Sequence, residues 1–502
     1  MKKSYIIILL SLLVVIGLII LSTPRESPLP NVTCVYPTEN VIYTNNTLLC
    51  LGTYNLTGSA IRIGANNMII DCNNATIIGN NNSIAIKGVY DGYTNITIKN
   101  CNIQDYAQGI LVGDGKGWHV HNNNIDCGSI ASSKGVQVDV FPYNDRLGSG
   151  SYYNNDINNC YYGYYISGGG NDAFYNNIIE NTTNALWINR QNKTKIYNNK
   201  ITNTASNSIR MNNNLNYHNQ VYNNTISNSG WNCIDVMGRD SNFIGNYVNN
   251  CTHNALNANS DYTDKIYSSN NYIANNIVNN SHAGVYNNNG INMLYENNIF
   301  YFGGSESVPK PNVSLCIATD GRYNSTTKTF TVQNLTFKDN YCHNYRTGIF
   351  EQSSNANNAF INNKFKNSSV MIHTENYYGR ILYPTTDMII NSYYINNAMI
   401  DAPSLYTYYE GAANNVIEDK NPLGAYFKLS SSSGLNKTYL GSINMSIKIY
   451  GTSFTKEIHF YNQARQTPNN DIKIGNAVIV KDGDDLILSI GEKQIFSVGD
   501  YS

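Results

Sequence analysis

The sequence predicts an all-β chain built as a parallel β-helix, a solenoid of short stacked strands, closed by a C-terminal antiparallel β unit. Three observations predict it. A phrase of two polar residues, usually Asn-Asn, then any residue, then Ile, Val or Phe recurs along the chain. The interval between successive apolar residues of that phrase returns to 22 and reaches 25 once. No part of the repeat region carries the 3.6-residue apolar period of a helix.

The first 30 residues stand apart. Met1-Lys2-Lys3 precede an apolar run from about Tyr5 to Leu21, the pattern of an export signal. The run is close to the shortest length that spans a bilayer, and its flank, Leu21-Ser22-Thr23-Pro24-Arg25, shows no small-x-small cleavage site. A cleaved signal peptide and an uncleaved signal anchor both remain open. In the anchored version Lys2 and Lys3 stay cytoplasmic and the remainder lies outside. Ten cysteines, with no C-x-x-C pair, fit disulfides in an oxidising compartment rather than a zinc or redox site. Asn-x-Ser/Thr sequons such as Asn31, Asn95, Asn181 and Asn334 fit a glycoprotein, each weakly in so Asn-rich a chain. The expected location is extracytoplasmic, at the cell surface or secreted.

The repeat occupies residues 31–375. Its first strand is seen at Asn122-Asn123-Asn124-Ile125, Asn176-Asn177-Ile178-Ile179, Asn198-Asn199-Lys200-Ile201 and Asn297-Asn298-Ile299-Phe300. The intervals 157 to 179, 179 to 201, 226 to 248 and 278 to 300 are each 22. Longer intervals of 32, 30 and 42 imply insertions of about 8, 8 and 20 residues, near Asp139–Ser151, Asn259–Ser269 and Gly303–Lys328. A second strand alternates apolar with outward residues, as in Val136-Gln137-Val138, Leu186-Trp187-Ile188 and Ile209-Arg210-Met211. Stacked rungs place each strand ~4.8 Å from its copy. An inward Asn at the turn bonds its own rung's backbone, stacks amide on amide, and tolerates the left-handed conformation. Asn155, Asn177, Asn199, Asn224 and their equivalents are therefore read as structural.

This pattern resembles the parallel β-helix repeat proteins of the pectin-lyase-like superfamily, including NosD-like periplasmic and archaeal surface proteins. The resemblance is carried by Ile61-Arg62-Ile63-Gly64-Ala65-Asn66-Asn67-Met68-Ile69-Ile70-Asp71-Cys72-Asn73 and by Asn95-Ile96-Thr97-Ile98-Lys99-Asn100-Cys101-Asn102-Ile103. It implies a right-handed coil. It is specific for fold and weak for function, because this fold hosts lyases, hydrolases, epimerases, adhesins and structural proteins. Residues 376–502 lose the Asn-Asn rhythm and alternate instead, as in Asn444-Met445-Ser446-Ile447-Lys448-Ile449 and Leu486-Ile487-Leu488-Ser489-Ile490, with Asp482-Gly483-Asp484 as a turn. They are expected to form a β domain or cap over the open end of the coil.

Only 13% of residues are charged, the net charge is -1, and basic clusters are missing, so the chain has no electrostatic footprint for nucleic acid, which is not an expected partner. Aligning the second strands gives one outward column: Leu111, Gln137, Tyr165, Trp187, Arg210, Asp235, Asn257, Tyr286 and, past the long insertion, Phe350. Tyr and Trp offer flat apolar faces with polar tips, and Arg and Asp offer fixed hydrogen-bonding groups. The expected ligand is an extended polysaccharide or cell-surface glycan, contacted by Tyr165, Trp187, Arg210, Asp235, Asn257 and Tyr286. The alternative for this face is a solvated sheet decorated with β-favouring aromatics.

For catalysis the candidates are Asp235, Arg210, Arg239, Asp240, His253, Asp261 and Asp264, which fall in three or four consecutive rungs. A glycosidase needs two carboxyl groups, ~5–5.5 Å apart for retention or ~6.5–9.5 Å for inversion. Asp235 has Arg210 and Asn257 as its predicted neighbours, so a second carboxylate would come from Asp240, Asp261 or Asp264. An Arg210–Asp235 stack is expected to be a surface ion pair. A lyase would use Arg239 or His253 as base, often with calcium, for which this column holds no dense Asp cluster. His119 and His121 face one side of their strand but show no third ligand, so no metal and no cofactor are expected. The sequence thus leads to a surface β-helix that binds glycan as an adhesin or envelope component. A polysaccharide lyase or glycoside hydrolase and a purely structural solenoid are the competing classes.

Overall fold

The computed structural model describes residues 33–400 except 89–91, 114, 140–148, 212–215, 259–267, 304–313, 322, 325–328, 354, 376–388 and 391; beyond 400 it describes the backbone of the strands. The export segment and most of the three insertions lie outside the described residues. Among the described residues there is no helix.

Each rung has three strands, one more than the two apolar pairs in the sequence. In a representative rung they are Ala173–Tyr175, Ile178–Glu180 and Asn184–Asn189. The additional strand, Ala173–Tyr175, lies just ahead of the Asn pair and turns a single residue inward: Phe174 here, Ile196 in the next rung and Val221 after that. One inward residue makes no alternating pattern, which hides the strand in the sequence. Rungs stack parallel and in register, with Phe174 beside Ile196, Ile179 beside Ile201 and Leu186 beside Ile209. These side chains are fully buried and form one continuous apolar lumen.

The Asn pair divides its work. The first member is left-handed, with φ of 54° at Asn176, 56° at Asn198 and 54° at Asn223, a conformation that Asn tolerates. The second member forms a buried amide ladder. Asn177 Nδ2 donates to Asn199 Oδ1 at 2.9 Å and to the Tyr152 carbonyl at 3.0 Å, and the Asn177 backbone N–H donates to the same Asn199 Oδ1 at 3.0 Å. The pattern runs from Asn123 through Asn155, Asn199, Asn224, Asn246, Asn276, Asn298, Asn340 and Asn363 to Asn397. It leaves few buried polar groups of the turn unsatisfied, as a dry interior requires.

All ten cysteines are paired: Cys34–Cys50, Cys72–Cys101, Cys127–Cys160, Cys233–Cys251 and Cys316–Cys342. Five disulfides belong to an oxidising environment outside the cytoplasm.

Parallel pairing continues past residue 375, with Ile372 beside Tyr406, Tyr406 beside Phe427 and Ile417 beside Ile447. Ladder hydrogen bonds between strands need no Asn at the turn, so the coil outlasts the Asn-Asn rhythm. Apart from the short hairpin of Tyr323–Asn324 with Thr329–Phe330, antiparallel pairing is found where Asn444–Tyr450 meets Thr455–Tyr461 and from Ile472–Ile474 to Lys493–Asp500. That last strand also pairs parallel with Ala425–Ser431. The antiparallel unit thereby hydrogen-bonds to the open strand edge that ends a solenoid.

Candidate functional site

The second strands stack so that Arg62, Lys87, Leu111, Gln137, Tyr165, Trp187, Arg210, Asp235, Asn257 and Tyr286 form one column in register. Phe350 is not the next member. Ala318 lies between Tyr286 and Phe350, and His373 follows Phe350. The long insertion is split around the strand Leu315–Gly321, so it contains this rung's own second strand.

The middle of the column is fixed by contacts between rungs. The Arg210 guanidinium lies 4.4 Å from the Trp187 ring centre. Its Nε lies 3.7 Å from Asp235 Oδ2. Asp235 Oδ1 accepts from Asn232 Nδ2 at 2.9 Å and from Asn257 Nδ2 at 2.8 Å. The pair is not the surface ion pair expected from the sequence: the Asp235 side chain is 6% exposed and that of Arg210 is 35% exposed. The two amides flank the carboxylate and shield it from water. Burial raises the Asp235 pKa above the ordinary carboxylate value, against the opposing pull of Asn257, Arg210 and Asn232. No hydrogen-bond partner of the Arg210 Nη groups occurs among the described residues, and the Arg210 side chain is partly exposed.

Below Trp187 the column is aromatic and cationic. Tyr162 packs edge-on against Tyr165 at 5.1 Å and against Trp187 at 5.5 Å. Lys134 Nζ sits 4.7 Å from the Tyr165 ring centre and donates to Gln137 Oε1 at 2.9 Å. Gln137 Nε2 in turn donates to Asp139 Oδ2 at 3.1 Å. Burial lowers the Lys134 pKa, with Asp139 acting in the opposite direction. At the other end Tyr286 donates its hydroxyl to Asp320 Oδ2 at 3.0 Å.

Of the remaining catalytic candidates, Arg239, Asp240 and His253 contact residues other than Asp235. Arg239 and Asp240 are exposed in the turn beyond this strand, where Arg239 bridges Tyr217 and Ser269 and Asp240 Oδ1 accepts from Asn270 Nδ2 at 3.0 Å. His253 lies within the strand Tyr247–Ala258, where the register shifts between Cys251 and Asn254, and is stacked on Trp231 at 4.1 Å. Asp261 and Asp264 lie outside the described residues. Within the register the carboxylates beside the column are Asp139, four rungs away, and Asp320, three rungs away. Three rungs are ~14 Å, beyond the reach of either paired-carboxylate geometry. His121 is buried and stacks on Tyr153 at 4.6 Å, and no group of three or more His, Cys, Asp or Glu that could hold a metal occurs among the described residues.

Three features escaped sequence reasoning. Tyr153, Tyr175, Tyr197 and Tyr222 form a stacked ladder with ring centres 4.9 Å apart. Each precedes an Asn pair, so Tyr-Asn-Asn was a usable signal. Asp172 is fully buried, with Oδ1 accepting from the Gly150 N–H at 2.8 Å, and burial pushes its pKa up to about 7. Glu351 projects into the lumen, accepts from Asn358 Nδ2 at 3.0 Å and from the Tyr394 hydroxyl, and is pushed up to about 7 by burial. Its inward position follows from the alternation Ile349-Phe350-Glu351.

No protein-family model and no curated protein sequence matches the chain. Among solved structures it is similar to a tailspike protein of E. coli bacteriophage HK620 in complex with a hexasaccharide, at TM-score 0.40 and 12% identity over 82% of this chain and 72% of that one. It is also similar to the A-module of a mannuronan C-5 epimerase of Azotobacter vinelandii, at TM-score 0.35 and 13% identity over 70% and 87%. An alginate lyase from a Paenibacillus species gives TM-score 0.31 and 12% identity over 68% and 92%. What this chain binds is decided by its own side chains.

Proposed function

We propose that this is an extracytoplasmic cell-surface protein that binds an extended, acidic glycan along the outward column of the second strands. The observation that carries the reading is the Trp187–Arg210–Asp235–Asn257 array. Its guanidinium is held between an indole face and a buried carboxylate, leaving the Nη donors for a ligand. A planar guanidinium so fixed loses little freedom on pairing with a sugar carboxylate. Arg62, Lys87, Lys134 and Arg210 share this face along the axis, which favours a polyanion. The fixed rung spacing suits a polymer better than a compact ligand. Five disulfides support an extracytoplasmic site, and the apolar run from Tyr5 to Leu21 supports attachment through the N-terminus.

The test is affinity electrophoresis of the full chain in mild detergent through gels containing polygalacturonate or alginate. Trp187→Ala and Arg210→Ala are each expected to weaken retardation at least tenfold, and Asp235→Asn less, because the amide still accepts from Asn232 and Asn257. Unaltered retardation in both Trp187→Ala and Arg210→Ala would remove the column as the binding face.

A second reading, cleavage of that glycan, is favoured by the raised carboxyl of Asp235 beside Arg210, since perturbed acids concentrate at reaction centres. It predicts shorter products on incubation, abolished by Asp235→Asn. Unchanged polymer length leaves binding alone.

A further inference from the structure

A second face of the coil has the form of a binding groove. The turn that joins the first strand to the second opens into two recesses of about 350 and 400 Å³. They share Ser129 and Asn159 and so adjoin along the helix axis as one shallow channel open to solvent. The disulfide between Cys127 and Cys160 runs at its floor. The channel extends from Asp105 to Ala205 over the rungs of Asp126, Asn159, Thr182 and Asn203, four steps of ~4.8 Å.

Its lining is mostly amide, hydroxyl and alkyl, with Tyr161 beside Cys160 and with Asp105 and Asp126 as its charged members. Asp126 is already engaged: its two oxygens accept from Asn159 Nδ2 at 3.2 and 3.1 Å, and Oδ1 also accepts from the Gly128 N–H at 2.9 Å. Carboxylates without cationic neighbours in the lining repel a polyanion, in contrast to the Arg210 column.

The channel ends on an aromatic platform. Backbone hydrogen bonds place Thr183, Ser206, Trp231 and His253 in one column: Ser206 N to Thr183 O at 2.8 Å, Trp231 N to Ser206 O at 3.1 Å and His253 N to Trp231 O at 3.1 Å. Thr183 lines the channel. His253 stacks on Trp231 at 4.1 Å, and Trp231 is 49% exposed. The backbone ladder puts Ser206 one rung before Trp231, on the side of the channel, and among the described residues no aromatic ring stacks on Trp231 from that side. A rigid ring with one open apolar face beside amides and hydroxyls matches the C–H face and hydroxyl rim of a sugar.

We infer that this groove is a separate site for a strand of uncharged sugars, lying along the helix axis with one sugar ring against Trp231. The inference rests on the reading of the protein as a glycan binder but uses a different face and a different charge class.

Affinity electrophoresis of the full chain in mild detergent tests it, with hydroxyethylcellulose, galactomannan and dextran as neutral probes and polygalacturonate as the acidic one. At least one neutral polymer should retard the wild type. Trp231→Ala, which removes the platform, and Ala205→Trp, which fills the channel, should each raise its Kd tenfold or more. Trp231→Phe keeps a stacking ring and should retain most of the retardation. Neither Trp231→Ala nor Ala205→Trp should alter polygalacturonate retardation, and Arg210→Ala should leave the neutral polymer unaffected. The inference fails if no neutral polymer retards the wild type. It fails equally if Trp231→Ala and Ala205→Trp bind as the wild type does, or if Arg210→Ala abolishes neutral binding. The polygalacturonate arm judges the Arg210 column independently. Near-ultraviolet circular dichroism verifies that each variant is folded.

Discussion

Glycine substitutions within one Asn pair separate backbone conformation from hydrogen bonding. Asn198 is left-handed, so its role is conformational, and Asn198→Gly supplies the same φ without strain. Asn199 is 1% exposed and its side chain makes four hydrogen bonds. Oδ1 accepts from the Asn177 backbone N–H at 3.0 Å and from Asn177 Nδ2 at 2.9 Å. Nδ2 donates to the Phe174 carbonyl at 3.0 Å and to Asn224 Oδ1 at 2.9 Å. Removing the side chain spares two of the four partners. Asn177 Nδ2 still reaches the Tyr152 carbonyl, and Asn224 Oδ1 still receives the residue-199 N–H at 3.1 Å. The Asn177 N–H and the Phe174 carbonyl lose these bonds in a dry interior, at about 1–3 kcal/mol each. Asn199→Gly is therefore expected to cost about 3–5 kcal/mol, with the added entropy of a new glycine included. Asn198→Gly should stay within about 1 kcal/mol, and Lys200→Ala, an exposed change in the same rung, within about 0.5 kcal/mol. Guanidinium unfolding of the three variants against the wild type, with disulfides intact, measures the differences. Equal midpoints for Asn198→Gly and Asn199→Gly would refute the division of labour and the amide ladder with it.

Other expectations follow from burial and topology. Asp172 and Glu351 have ordinary pKa values of 3.8 and 4.5 and are pushed up to about 7 in the fold, so the folded chain holds more protons than the unfolded one between those limits. Their contribution to stability is greatest on the acid side and falls as pH rises toward 7, by at most about 4 kcal/mol for Asp172 and about 3 kcal/mol for Glu351; Glu351→Gln, which preserves the neutral form, should flatten part of that slope in melts taken from pH 4.5 to 7. Cys127→Ser with Cys160→Ser opens a loop with a sequence separation of 33 and should cost about 3–4 kcal/mol on the chain-entropy scale, read as an earlier denaturant midpoint. Tyr197→Ala interrupts the ring ladder between Tyr175 and Tyr222 and should cost about 1–3 kcal/mol from two lost ring contacts, while leaving polygalacturonate retardation unchanged.

The register of the coil was legible because a solenoid repeats one geometry. Once the interval of 22 places Ile179 over Ile157, every residue at the same offset is placed too, and the column from Leu111 to Tyr286 follows from counting. Counting failed where an insertion interrupts the rung. The 42-residue interval concealed the strand Leu315–Gly321, and Ala318 was lost from the column between Tyr286 and Phe350. It also could not give depth. Asp235 occupies an outward offset and is nevertheless buried, because Asn232 and Asn257 bring amides to its carboxylate from its own rung and the next. Outward describes a direction from the lumen; exposure depends on what the flanking turns lay over it.

The same distinction decides which aromatics bind a ligand. Tyr153, Tyr175, Tyr197 and Tyr222 make a row of four stacked rings, yet each inner ring has both faces covered by its neighbours at 4.9 Å. Such a row presents edges and hydroxyls and contributes chiefly to stability. Trp187 lies under Arg210 at 4.4 Å, so its contribution is to hold a cation in place. Among the described residues Trp231 has a ring, His253, on one side, and the backbone ladder puts Ser206 on the other. Residue type at a repeat offset names a column, whereas the residue one rung away decides whether that column is a support, a charge clamp or an open surface. That neighbour is printed in the sequence at a known offset: Arg210 stands 23 residues after Trp187, and Ser206 stands 25 before Trp231. Reading each outward aromatic together with its two stacking neighbours would have separated the three roles before any coordinates were known.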